Sequence, residues 1–168
     1  NDISIFGIDR EVIDRRSIKL DEVQDAGASK GDFRHFMLKE IYDQPEAIRQ
    51  TLEGRLQDDN VLIQSFGIDA ETIFKKVKAI QIVACGSSYY AGMVARYWFE
   101  EIVGLPCSVE IASEFRYRKT AVLPNTLLVT ISQSGETADT LAAQRSATDK
   151  NYLASLCICN VPNSTMVR

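Results

Sequence analysis

Two short stretches hold most of the polar chemistry that residue type and spacing could organise: Cys85-Gly86-Ser87-Ser88 and Ser132-Gln133-Ser134-Gly135-Glu136-Thr137. Each breaks an apolar, strand-like run and opens a stretch with helical periodicity. Such a turn suits an anion. The first N–H groups of a helix have no backbone partner, and the macrodipole adds about half a positive charge at that end. Small residues let the backbone come close. The hydroxyls of Ser87, Ser88, Ser132, Ser134 and Thr137, with the Gln133 amide, supply further donors, so a phosphate could be held without Lys or Arg. The same hydroxyls could instead be helix caps, as Ser and Thr often are. Two such turns in one domain favour the anion. The rival nucleotide motifs, G-x-x-x-x-G-K-[ST] and G-x-G-x-x-G, are absent from the sequence.

Other chemistries find less support. Cys85, Cys107, Cys157 and Cys159 form no C-x-x-C pair, and His35 is the single histidine, so a four-ligand zinc site is not expected. The same scarcity leaves a Ser-His-Asp triad only if His35 serves it, and at a linker–helix junction His35 is expected to cap or to contact a neighbouring domain. The thiols read as reduced, small hydrophobes in an intracellular, cytoplasmic protein that needs no cofactor. The 168 residues carry 19 Lys+Arg against 23 Asp+Glu, a formal charge of −4, which argues against a nucleic-acid partner. No apolar run approaches the roughly 20 residues of a membrane span. The sequence opens at Asn1 without a Met or a signal-peptide pattern and stops at Val167-Arg168, as expected of a piece of something longer.

The elements that would position these turns can be read along the chain. Residues 1–20 alternate weakly (Ile3, Ile5, Val12, Ile18, Leu20) and predict short strands. Residues 21–32 are small and polar and predict a linker. Residues 33–78 predict a helical lead-in, with two short helices separated at Pro45, the second capped by Asp43 or Gln44. A further helix is expected from Asp69 to Val77, with Asp69 as N-cap. From residue 79 the pattern becomes strand–helix alternation. Strands are expected at Ala79–Ala84, Cys107–Ile111, Thr126–Ile131 and Leu153–Cys159. A helix after the first carries Ala91, Val94, Ala95, Trp98, Phe99 and Ile102 on one stripe and stops at Gly104, so Trp98 and Phe99 read as core. A helical turn is expected at Ser113–Tyr117 and a helix after the second polar turn to about Lys150. This alternation predicts an α/β fold, a three-layer αβα domain on a parallel, flavodoxin-like sheet over residues 79–168, incomplete on its C-terminal side. Glu136 is expected to favour the helix N-terminus or to pair with a cation. Arg116, Arg118 and Lys119 read as a solvated or subunit-facing surface.

Two segments, Ser132 to Thr140 and Ala84 to Tyr89, closely resemble the sugar-isomerase (SIS) domain of the glutamine–fructose-6-phosphate aminotransferase family. His35 to Pro45 resembles that family's lead-in to the isomerase half, and Val109 to Arg118 fits it too. The resemblance runs from about Phe33 to Arg168, and residues 1–20 look like the tail of a glutaminase domain. It implies an enzyme of hexosamine biosynthesis that makes glucosamine 6-phosphate from fructose 6-phosphate and glutamine-derived ammonia, working as a homodimer. Carried over by resemblance, Ser132, Gln133, Ser134, Thr137 and Ser88 bind the phosphate. Ser87, where the family commonly has Thr, contacts the sugar, and Cys85 and Gly86 line the turn. The family's N-terminal catalytic Cys is not here, and Asn1 cannot replace it. The glutamate base, lysines and ring-opening histidine fall outside the chain, so it is expected to bind rather than to turn over, with the rest of its polypeptide as partner. The alternatives are a phosphosugar-sensing regulator, which would normally bring a basic domain, and an FMN-binding flavodoxin-like carrier, which would need aromatic residues in its later loops.

Overall fold

Four segments rich in Ile, Leu, Val and Ala form one parallel sheet in the computed structural model, which describes residues 8–12, 29–58 and 60–168. The strands are β1 (Ala79–Ala84), β2 (Cys107–Ile111), β3 (Thr126–Ser132) and β4 (Ala154–Cys159). The helices are α1 (Phe36–Leu52), α2 (Ala70–Phe74), α3 (Gly86–Trp98), α4 (Ala112–Phe115) and α5 (Ala138–Ala147). Most of the expected short strands of residues 1–20, and the expected linker as far as residue 28, lie outside the described residues. The chain divides into two units, one ending at Leu56 and the other running from Gln57 to Arg168.

In the second unit the spatial order of strands is β2-β1-β3-β4, the flavodoxin-like order as far as it goes. Every residue of β1 is buried, and so is every residue of β3 but Ile131, as a strand covered on both faces must be. Period-two alternation sends Ile80, Ile82, Leu127 and Val129 to one face, against Ala95 and Phe99. Val83 and Leu128 go to the other, against Ala112 and Phe115 of the α4 turn and Ala143 and Ala147 of α5. Helices on both faces make the three layers. Phe115 is fully buried, and a buried aromatic of that size contributes about 2–3 kcal/mol of transfer free energy.

The helix after β1 turns a different face to the sheet from the stripe its spacing suggests. Gly92 is buried and Phe99 packs on the core, whereas Val94, Trp98 and Ile102 are exposed, Trp98 by 59%. The reason is close approach at Gly92, where a Cβ would lie 2.9 Å from Ile82 Cγ2 and 3.2 Å from Val109 Cγ1. The α3 helix runs into a π-helical turn, Phe99–Val103, and ends at Gly104.

The lead-in departs from expectation at Pro45. A single helix, α1, runs through it, where two short helices were expected. Proline removes one donor, yet the turns on either side are tied by Lys39–Asp43 at 2.6 Å, Arg49–Glu46 at 2.6 Å and Arg49–Glu53 at 3.5 Å. Pairs at this spacing add about 0.2–0.5 kcal/mol each. Asp43 serves Lys39 rather than a cap. His35 stands at the N-cap position of α1 and Asp69 at that of α2, and neither makes a side-chain capping bond.

Candidate anion-binding site

The two polar turns leave the sheet side by side. Strands β1 and β3 are neighbours, with Ala84 paired to Ile131, so Cys85 and Ser132 emerge from the same edge. The α3 helix then carries the chain to β2 on one side, and α5 carries it to β4 on the other. The crevice where connections diverge, at the carboxyl ends of parallel strands, is where open α/β sheets take their ligands.

In the first turn Cys85 is the N-cap residue of α3 in an extended conformation, and Gly86 follows with φ 56°. Ser87 is exposed and Ser88 half-buried. In the second turn Ser132 is buried. Its hydroxyl accepts the Gly135 N–H at 3.0 Å and shares a hydrogen bond with the Thr137 hydroxyl at 3.0 Å. The Ser134 hydroxyl accepts the Glu136 N–H at 3.1 Å. Gln133 is exposed, while Thr137 and Ser134 are half-buried. Thr137 is the N-cap residue of α5, but neither it nor Cys85 makes a side-chain capping bond. The hydroxyls therefore brace the turn, and the first amides of both helices are left to a ligand or to water.

A wall that the sequence pattern did not reveal backs the second turn. The Asn160 N–H donates to Gln133 O at 3.3 Å, the Met166 N–H to Gly135 O at 3.1 Å, and the Thr165 N–H to Glu136 Oε1 at 2.7 Å. Gly135 has φ +66°, and a Cβ on it would lie 2.0 Å from Ser164 Oγ, so glycine is required there both by conformation and by space. Two of the three bonds run between backbone groups, which no periodicity of side chains encodes.

The charges nearby are also committed. Glu136, expected near the helix dipole or a cation, accepts from the Thr165 amide, which holds its carboxyl below the usual carboxylate range. Asp139, in the first turn of α5, pairs with Arg116 at 2.7 Å. Arg116, half-buried, thus ties the α4 turn to the start of α5, and Arg118 pairs with Glu110 at 3.0 Å. Lys119 is exposed. All four cysteines are free, and burial pushes the Cys107 thiol up to about 11, away from any nucleophilic role near neutrality. A cleft of about 330 Å³ lies at the strand-start end, among Ala79, Cys107 and Thr126. Its Glu110, Gln81 and Arg118 already bond one another, so it offers less to an anion than the paired helix N-termini do. No helix among the described residues is long and apolar enough to cross a membrane.

Comparison with known proteins fits this geometry. The SIS domain family model matches residues 73–168. The glutamine–fructose-6-phosphate aminotransferase (isomerizing) of Pseudomonas putida is 57% identical over 166 residues, 99% of this chain and 27% of that protein. The Haemophilus influenzae counterpart is 59% identical over 154 residues, 92% of this chain and 25% of that one. The chain thus spans about a quarter of the length of these curated relatives. Among solved structures, the C-terminal domain of glucosamine-fructose-6-phosphate aminotransferase from Francisella tularensis superposes with a TM-score of 0.80 at 55% identity, over 84% of this chain and 40% of that one. Tagatose-6-phosphate ketose/aldose isomerase from Escherichia coli shares the fold at a TM-score of 0.59 and 20% identity, over 76% of this chain and 35% of that one.

Proposed function

Because this chain belongs to the SIS domain family, we propose that its two polar turns bind the phosphate of fructose 6-phosphate and glucosamine 6-phosphate. On this reading it is part of the isomerase half of a glutamine–fructose-6-phosphate aminotransferase. The observation that carries the reading is the pair of helix N-termini, α3 and α5, which start side by side at the diverging edge without side-chain caps. A phosphate seated there meets the first amides of both helices and the positive ends of both dipoles. Ser88, Ser134, Gln133 and Thr137 add neutral donors, and Ser132 holds the turn that presents them. Ser87, with Cys85 and Gly86 lining its turn, faces the sugar. Neutral donors suit a dianion that must also be released, because they hold it without a permanent counter-charge.

Fixing the phosphate end leaves the carbonyl end of the sugar free for groups that perform proton transfer and amination. In this reading those groups come from the rest of the polypeptide. Two copies of the whole protein associate, and it works in the cytoplasm. The chain alone then binds without turnover.

An amide-resolved NMR titration tests the reading. Glucosamine 6-phosphate is expected to shift the amides of Ser87, Ser88 and Ser132 to Thr137. Glucosamine should not, inorganic phosphate should do so more weakly, and Thr137→Ala should weaken the response. A well-dispersed spectrum that ignores every phosphate would reduce both turns to structural loops.

A further inference from the structure

Glu136 is an acid inside a turn proposed to hold a phosphate, where a free carboxylate would oppose the ligand. Its oxygen is instead directed to the Thr165 amide at 2.7 Å, across 29 residues of sequence. Two more bonds follow the same course, from Asn160 N–H to Gln133 O and from Met166 N–H to Gly135 O. The return segment Asn160–Met166 therefore holds three of the four residues from Gln133 to Glu136, and only the Glu136 contact uses a charged side chain. A bond to an ionised acceptor is shorter and stronger than a neutral one. The Glu136 N–H, meanwhile, is fixed by the Ser134 hydroxyl at 3.1 Å. This residue thus joins the turn to its wall on one side and to a candidate ligand hydroxyl on the other.

We propose that Glu136 is a positioning residue of the anion site: by gripping the Thr165 amide it sets the second turn at the height where the α5 amides and the Ser134 and Thr137 hydroxyls converge, and it turns its own charge away from the ligand. The inference rests on the phosphate reading above. It requires an oxygen acceptor at this position, not a charge, which separates it from a purely electrostatic role.

The test is calorimetric titration of the full chain with glucosamine 6-phosphate, with thermal melting of each variant alongside. Glu136→Gln keeps a carbonyl oxygen for the Thr165 N–H and should bind within about two-fold of the unsubstituted chain. Glu136→Ala should lose about ten-fold in affinity as the turn loses its fixed height, and should melt a few degrees below Glu136→Gln, because a bond that the ligand-free chain already makes is gone. In NMR the Thr165 amide resonance should stay in place in Glu136→Gln and move upfield in Glu136→Ala. Equal binding by Glu136→Ala and the unsubstituted chain would overturn the proposal, as would equal losses in both variants. A Glu136→Ala chain that does not fold would also overturn it, by making the contact a folding one. If the unsubstituted chain ignores the ligand, the phosphate reading itself fails. If it binds and Thr137→Ala weakens binding while Glu136→Ala does not, only the positioning role fails.

Discussion

Ser132 and Ser87 come from the two turns of one candidate site, yet their surroundings set them different tasks. The Ser132 hydroxyl lies within the turn and takes the Gly135 N–H, so removing it leaves a buried donor without a partner. That costs about 1–3 kcal/mol. The Ser87 hydroxyl is exposed and makes no hydrogen bond among the described residues. Urea unfolding should therefore show Ser132→Ala destabilised by about 1–3 kcal/mol and Ser87→Ala unchanged within about 0.5 kcal/mol, although both are expected to weaken sugar-phosphate binding. Equal stability of the two variants would mean that Ser132 does not brace the turn. Hydroxyl type and spacing point to both residues alike, but the division of labour depends on burial, which spacing does not contain. The same holds for Asp139 and Arg116: the pair joins the helical turn after β2 to the start of α5, and nothing at either position announces the other.

At the scale of elements, the strands were legible and one helix face was not. Runs such as Ile80-Gln81-Ile82-Val83 and Leu127-Leu128-Val129 are apolar on both sides of the pleat, which only a sheet covered on both faces explains. The helix after β1 carries two overlapping apolar stripes, one through Gly92, Ala95 and Phe99 and one through Val94, Trp98 and Ile102. Hydrophobicity alone favours the second, because it is the larger. Packing selects the first, because Gly92 lets the backbone approach Ile82 and Val109. Gly92→Ala should accordingly be destabilising by about 1 kcal/mol despite better helix propensity, since overpacking at 2.9 Å outweighs a gain of about 1 kcal/mol. Trp98→Ala, which removes a far larger side chain from the outward stripe, should shift the urea midpoint less. The reverse order would place the Trp98 stripe against the sheet. Pro45 misleads for a related reason: the rule against interior proline describes a cost of about 3 kcal/mol, and the continuous α1 helix shows that cost being met within a 17-residue element.

For the molecule as a whole, the sheet does two things at once. Its carboxyl edge brings two helix N-termini together, and its body buries groups that must stay neutral for the layers to remain closed. Cys107 begins β2 beneath the π-helical turn that follows α3, and Tyr152 precedes β4 with its hydroxyl donating to Gln81 at 2.5 Å. Burial raises both, Cys107 from 9.0 to about 11 and Tyr152 from 10.0 to about 12. A group whose folded-state value lies above its unfolded value stabilises the protein fully below the unfolded value and loses that contribution as pH rises through the folded one. Stability should therefore hold up to about pH 9, then fall across the window from about 9 to 12, with each group contributing a slope of up to about 1.4 kcal/mol per pH unit within its own range. Urea unfolding at successive pH values should show the decline. Cys107→Ala should flatten it between about pH 9 and 11, and Tyr152→Phe above about pH 10, even where either substitution lowers stability at neutral pH. An alkaline limb of unchanged slope in both variants would mean that neither group is shielded by the closed layers.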